Sequence, residues 1–314
     1  GGGTPSVPEC DVMEKLLQGL RDYFLFSADA EVTIEANPGT LTPEKLSIYR
    51  KYGINRISIG LQSPNNKELA MLGRIHNYAQ FLESFQMARE AGFSNINVDL
   101  MFAIPGQSYE GWIENLRTVA ALGPEHISAY SLIIEEGTPF SRKKLDLPDE
   151  DTEYRMYEDV AAVLKEYGYH QYEISNYAKA GRECRHNEGY WQRKDYLGLG
   201  LGAASLLGKE RFSNTSDMQE YLKNSSAPEK IRKNRELLTR EDEMAEFMFL
   251  GLRMTQGVSK KEFQEYFGTA IENIYGEVLK KYKKQGLLLE ESGRIFLSRE
   301  GIHVSNAVMA DFLL

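Results

Sequence analysis

Four short runs of strand-like character, EVTIEA (31–36), RISIGLQ (56–62), NINVDLMF (95–102) and HISAYSL (126–132), recur through the first half of the chain. Before the second, third and fourth lies an amphipathic stretch closed by Gly or Pro: KLSIYRKYG, FLESFQMAREAG and IENLRTVAALGP. Strand, helix, strand in strict alternation predicts βα units on a parallel sheet, because parallel neighbours need a long crossover between them. A further helix fits residues 11–24, so the opening GGGTPS (1–6) takes the place of the loop between a strand and that helix. A parallel strand is buried on both faces. The chain is therefore expected to be a fragment cut inside its first motif, with the preceding strand upstream of Gly1.

At 314 residues, with 42% hydrophobic and 26% charged residues, the composition is that of a globular protein of one large or two moderate domains. No apolar run approaches the roughly 18 residues of a membrane span, and no leader precedes a cleavage site, so a cytoplasmic location is expected. A formal net charge of -9 opposes broad binding to nucleic acid or anionic membranes, which needs clustered Lys and Arg. Cys10 and Cys184 stand far apart in no CxxC pattern, which predicts two reduced, buried thiols and no disulfide framework or zinc site.

The rhythm changes after Glu136. A polar connector (137–151) leads to a Tyr-rich helix over 152–167, then to GYHQYEISNYAKAGRECRHNEGYWQRKDYLGLGLGAAS, dense in aromatic and glycine residues. NSSAPEK (224–230) reads as a linker. Helices over 240–254, 260–267 and 269–285, then the hairpin LLLEESGRIFLS and a last helix, predict a small winged-helix-like module. The fold class is thus α/β: a partial (β/α)6 barrel fragment with a C-terminal α+β module. The expected domains are 1–140 (barrel), 141–225 (aromatic-rich extension) and 226–314 (winged-helix-like). Lys280, Lys281, Lys283 and Lys284 near a helix C-terminus read as a solvated face, so no nucleic-acid partner is expected.

Proteins built of βα units bind ligands at the carboxyl ends of their strands. GGGTPS, Glu35 with Asn37, Gln62 with Ser63, Asp99, and Pro105 with Gly106 fall there, and Arg74 follows Gln62 across a helical turn. Glycine lets backbone approach a ligand, arginine grips a carboxylate with two bonds, and an acid after a strand accepts from ribose hydroxyls. Together these groups suit a zwitterionic nucleoside, S-adenosylmethionine. Singly, each has a plainer use: a turn for the glycines, helix capping for Glu35 and Asp99, backbone satisfaction for Gln62, surface charge for Arg74.

In order and spacing, GGGTPS, TIEANP, RISIGLQS, NVDLMFAIPGQ and SAYSLIIEEGTP resemble the strand-end motifs of the radical S-adenosylmethionine family, in the part related to oxygen-independent coproporphyrinogen oxidase and closer to its haem-chaperone branch. The resemblance implies that Gly2, Gly3 and Thr4 face the methionine amino group, that Glu35 and Gln62 hydrogen-bond the ligand, that Arg74 takes its carboxylate and that Asp99 takes its ribose. It also implies a [4Fe-4S] cluster on three cysteines of a CxxxCxxC loop. This chain has no such loop, so its cluster ligands are expected upstream of Gly1 and no metal ligand is assigned here.

Within RHNEGYW, His186, Asn187 and Tyr190 match an HNxxY motif associated with the haem-chaperone branch, and imidazole is a standard axial ligand of haem iron. The residues alone favour the plainer reading, with His186 a polar group satisfied in a folded loop, and it is the resemblance that shifts this toward haem. Ala204 stands where the family often has histidine. The resemblance implies a carrier that binds haem and hands it to an acceptor protein, membrane proteins included. Its alternative is an oxidase that converts two coproporphyrinogen propionates to vinyl groups, and a nucleic-acid binder built on the C-terminal module is the third reading.

Overall fold

The computed structural model describes residues 3–138 and 140–314, and Gly2 lies outside them. The chain divides into two compact units, Thr4–Cys184 and Arg185–Leu314, with Gly3 grouped in the second. In the first unit the order is α1 (Cys10–Tyr23), β1 (Thr33–Ala36), α2 (Pro43–Lys51), β2 (Arg56–Gln62), α3 (Asn66–Met71), α4 (Tyr78–Glu90), β3 (Ile96–Phe102), α5 (Tyr109–Ala121), β4 (His126–Ser131), α6 (Glu150–Lys165), β5 (His170–Glu173) and β6 (Asn176–Ala178).

Local chemistry sets these boundaries. Side chains of Thr42, Asn77, Ser108 and Asp149 accept from backbone N–H groups in the first turns of α2, α4, α5 and α6, and Asn77 with Gln80 forms a reciprocal capping box. Gly92 follows α4 at φ 84°, a left-handed turn that glycine adopts without steric cost and that returns the chain to β3.

The strands form one sheet in the order β1-β2-β3-β4-β6-β5. β1 to β4 are parallel; β6 pairs antiparallel to β4, and β5 to β6. Alternation gives the sheet two different faces. Ile34, Ile57, Ile59, Leu61, Val98, Leu100 and Ile127 are buried against a core that includes Leu46, Tyr49, Phe81, Trp112, Leu116 and Val160 of the helices. The opposite face is polar: Glu35 lies level with Ser58, Ser58 with Asn97, Asn97 with His126, and Asp99 with Ser128. This is the partial βα barrel architecture expected from the sequence, with an antiparallel extension that the sequence pattern does not show. The hairpin β5–β6 turns in two residues without Gly; Glu173 closes it instead, accepting from Ser175 N–H at 2.8 Å and Asn176 Nδ2 at 2.6 Å.

The second unit begins with α7 (Arg185–Trp191), followed by β7 (Ala204–Leu207), β8 (Glu210–Asn214), α8 (Met218–Asn224), α9 (Pro228–Ile231) and β9 (Arg232–Leu237). RHNEGYW is thus a helix rather than a loop, and NSSAPEK ends one short helix and opens another inside this unit. Next come α10 (Arg240–Gly251), β10 (Val258–Ser259), α11 (Lys260–Phe267), α12 (Ile271–Lys284), β11 (Leu288–Glu291), β12 (Arg294–Leu297), α13 (Arg299–His303) and α14 (Ser305–Ala310). The antiparallel sheets are β7-β8-β9 and β10-β12-β11, the latter joining the hairpin to the strand before α11. Cys184 is buried as expected, but Cys10 is only half-buried, and both are free thiols.

Candidate functional site

Thr4 is fastened to the end of β1: Asn37 Nδ2 donates to Thr4 Oγ1 at 2.8 Å, and two residues on Ser6 Oγ meets Thr40 Oγ1 at 2.6 Å. Gly3 is exposed, with no atom within 4 Å of the place a Cβ would occupy. Glu35 points from β1 onto the polar face and is exposed.

Gln62 ends β2 buried and at φ 74°, left-handed backbone that costs a residue other than glycine about 1–3 kcal/mol. A register shift between Ile59 and Gln62 accompanies it. Gly60 makes room: a Cβ there would lie 3.2 Å from both Asn37 Oδ1 and Gln62 Nε2. Glu68 holds the adjoining loops, its buried Oε2 accepting from Ser63 Oγ at 2.6 Å, Gln107 Nε2 at 3.0 Å and Asn115 Nδ2 at 2.8 Å.

The centre of the cluster is Tyr130, whose hydroxyl donates to Gln62 Oε1 at 3.0 Å. Burial pushes its phenol up to about 12; the charges of Asp99 and Glu35 push the same way, while the Gln62 bond and Arg74 pull it down. Glu35, Gln62, Arg74 and Asp99 therefore all act on one hydroxyl. Arg74 sits in the loop after α3, exposed, and among the described residues its side chain has no hydrogen bond or ion pair. Asp99 is raised above the usual carboxylate range, first by burial and then by Glu35, against hydrogen bonds from Asn97 and Ser128.

In the second unit, His186, Asn187 and Tyr190 share α7. The His186 ring meets the Tyr190 ring edge-on at 4.7 Å, and Tyr190 meets Tyr196 at 4.6 Å. Tyr196 is pinned to β7 by two backbone bonds with Leu206. Arg185, His186, Gly189, Tyr190, Lys194, Asp195 and Tyr196 line a cavity of about 230 Å3. Ala204 is exposed at the start of β7.

Sequence reasoning misses Tyr130, Glu68 and Tyr196. The signal for Tyr130 is its place in the alternation His126, Ser128, Tyr130 on the polar face; Glu68 and Tyr196 carry no comparable signal.

The radical SAM superfamily model matches residues 1–119, and the HemN C-terminal domain model matches residues 238–304. The heme chaperone HemW of Bacillus subtilis (strain 168) is 38% identical over 318 residues, covering 100% of this chain and 84% of that protein. The heme chaperone HemW of Escherichia coli (strain K12) is 36% identical, covering 95% of this chain and 81% of its own length. Among solved structures, the coproporphyrinogen III oxidase HemN from Escherichia coli superposes with a TM-score of 0.86 at 23% identity, over 100% of this chain and 76% of that one. That likeness establishes the fold.

Proposed function

The chain belongs to the HemW family of radical S-adenosylmethionine proteins, and on that premise we propose that it captures haem on α7 and passes it to an acceptor protein. The observation that carries the reading is His186 on a short helix beside an aromatic-lined cavity, in a chain related over its whole length to haem chaperones. His186 is the axial ligand in this reading. Tyr190 and Tyr196 offer ring faces and edges to a flat macrocycle, Asn187 supports the helix face, and Arg185 and Lys194 on the cavity wall suit the propionates.

The strand-end cluster suits S-adenosylmethionine. Arg74, whose side chain has no hydrogen bond or ion pair among the described residues, takes its carboxylate; Gly3 and Thr4 give backbone and hydroxyl to its amino end, with Gly2, outside the described residues, assigned there by the family resemblance; Glu35 and Gln62 accept and donate along it, and Asp99 meets the ribose. When bound, this ligand supplies a sulfonium-linked adenosyl group. The [4Fe-4S] cluster implied by the radical S-adenosylmethionine family does not fit the residues present: the chain has two cysteines, and among the described residues no group of three His, Cys, Asp or Glu is placed to hold a metal.

The coproporphyrinogen oxidase alternative draws on the fold of HemN and on the HemN C-terminal domain match, whereas the curated relatives described above are haem chaperones. Nucleic acid is not proposed as a partner, since Lys281 is paired with Asp311 at 2.5 Å and Lys283 with Glu290. No described helix is long and apolar enough to cross a membrane; in the proposed function the chain hands haem, in the cytoplasm, to soluble or membrane-bound acceptors.

Titration of haem into the protein, followed by its absorption band, tests the proposal. Wild type is expected to give a saturable band, and His186→Ala to lose or shift it. An identical spectrum in the variant overturns the assignment, and turnover of coproporphyrinogen overturns the carrier reading itself.

A further inference from the structure

Asp99 is the upper end of a line of hydrogen bonds that crosses the polar face of the sheet to β5. Asn97 Nδ2 donates to Asp99 Oδ1 at 2.7 Å and to Ser58 Oγ at 2.8 Å, which uses both of its amide hydrogens. Asn97 Oδ1 must then accept, and His126 Nδ1 lies 2.5 Å from it, so the hydrogen sits on Nδ1. Nε2 is left as an acceptor, 2.8 Å from the Tyr172 hydroxyl, which donates to it and itself accepts from the Cys184 N–H at 3.2 Å. Ser128 Oγ adds a second donor to Asn97 Oδ1 at 3.2 Å. The donors and acceptors of Asn97 and His126 each have one assignment.

The polarity of the line matters at its end. A flipped Asn97 carboxamide would aim its carbonyl at the Asp99 carboxylate, and it is His126 that forbids the flip. Burial, then the buried Arg56 guanidinium, holds His126 well below its ordinary pKa, so it stays neutral and Nε2 keeps its lone pair for Tyr172. Oδ1 of Asp99 is taken by Asn97, while Oδ2 meets Ser58 Oγ only at 3.4 Å, long for an O–H···O bond. Asn97 thus makes the short hydrogen bond that orients the Asp99 carboxyl group, with Ser58 and Ser128 as its weaker partners.

We propose that His126, Asn97 and Tyr172 are positioning residues that aim the Asp99 carboxylate at the vicinal hydroxyls of a ribose, and so set the preference of the strand-end site for ribonucleosides. The inference rests on the S-adenosylmethionine reading of that site. His126 touches no ligand; it acts through Asn97.

The test compares two probes on the full chain by titration calorimetry: S-adenosylhomocysteine and its 2′,3′-dideoxy counterpart. Wild type is expected to prefer the ribose form, and Asp99→Asn to lose the preference. His126→Phe is expected to cut the preference roughly 5- to 10-fold, the worth of one hydrogen bond between neutral groups, without changing affinity for the dideoxy probe. His126→Asn, which replaces the Nδ1 donor with an amide, should restore most of it. Tyr172→Phe, which leaves the ring of His126 in place, should cause a smaller loss and carries the test if His126→Phe does not fold. Equal loss of both probes in the His126 and Tyr172 variants, or no change in either, overturns the positioning role while leaving Asp99 as the ribose acceptor. If Asp99→Asn keeps the preference, it is the nucleoside reading of the site that fails.

Discussion

Burial raises Asp99 above the usual carboxylate range more than the bonds from Asn97 and Ser128 lower it. A carboxyl whose pKa is higher folded than unfolded contributes stability below its unfolded value, and that contribution is lost as pH rises through the folded value. Above its unfolded value Asp99 therefore weakens the fold that presents it. Asp99→Asn removes the penalty and keeps the shape, so its thermal midpoint should exceed that of wild type by a few degrees at pH 8, the difference shrinking toward pH 4. Scanning calorimetry across that range checks it; a variant less stable than wild type at pH 8 contradicts the account. Asp99, Glu35, Gln62 and Arg74 stand out in the sequence because their chemistry is out of place beside β-branched runs. Tyr130 does not, because an aromatic on a strand reads as packing, and the bond it gives to Gln62 comes from a residue 68 positions away.

Elements are legible where period and boundary agree. RISIGLQ coincides with β2, and residues 260–267 with α11, the latter begun by a Ser259 cap and ended by Gly268 at φ 64°. α7 is not legible: its seven residues include Gly189 and no apolar stripe, so nothing in RHNEGYW favours a helix over a loop. β10 is too short for alternation to show, yet the C-terminal sheet depends on its close approach to β12. Gly257, at φ 62°, permits that approach, since a Cβ there would fall 2.0 Å from the Ile295 carbonyl oxygen and 2.5 Å from Phe296 Cβ. Gly257→Ala should therefore destabilise this sheet by about 2 kcal/mol or more, combining backbone strain with a steric clash. Urea unfolding monitored by circular dichroism measures the loss, and a change under about 0.5 kcal/mol, the range of an ordinary surface substitution, contradicts the steric argument.

At the scale of the molecule, one continuous apolar cluster, from Met13 to Tyr177, lies wholly within the first unit, while the second unit carries its own aromatic centre. Phe263 is fully buried there, with ring centroids 5.5 Å from Phe247, 4.7 Å from Phe267 and 6.1 Å from Tyr275. The residues of this aromatic centre are not members of the first unit's cluster. Phe263→Ala deletes a ring worth about 3–5 kcal/mol in a core of this kind, enough to consume most of the stability of a small module. Hydrogen exchange read by mass spectrometry should then show peptides across α11, α12 and the β11–β12 hairpin exchanging orders of magnitude faster, while peptides across β3 and β4 keep wild-type protection. Equal loss of protection in β3 and β4 would mean that the chain unfolds as a single cooperative body, and the separate apolar clusters would then not mark separate units of stability.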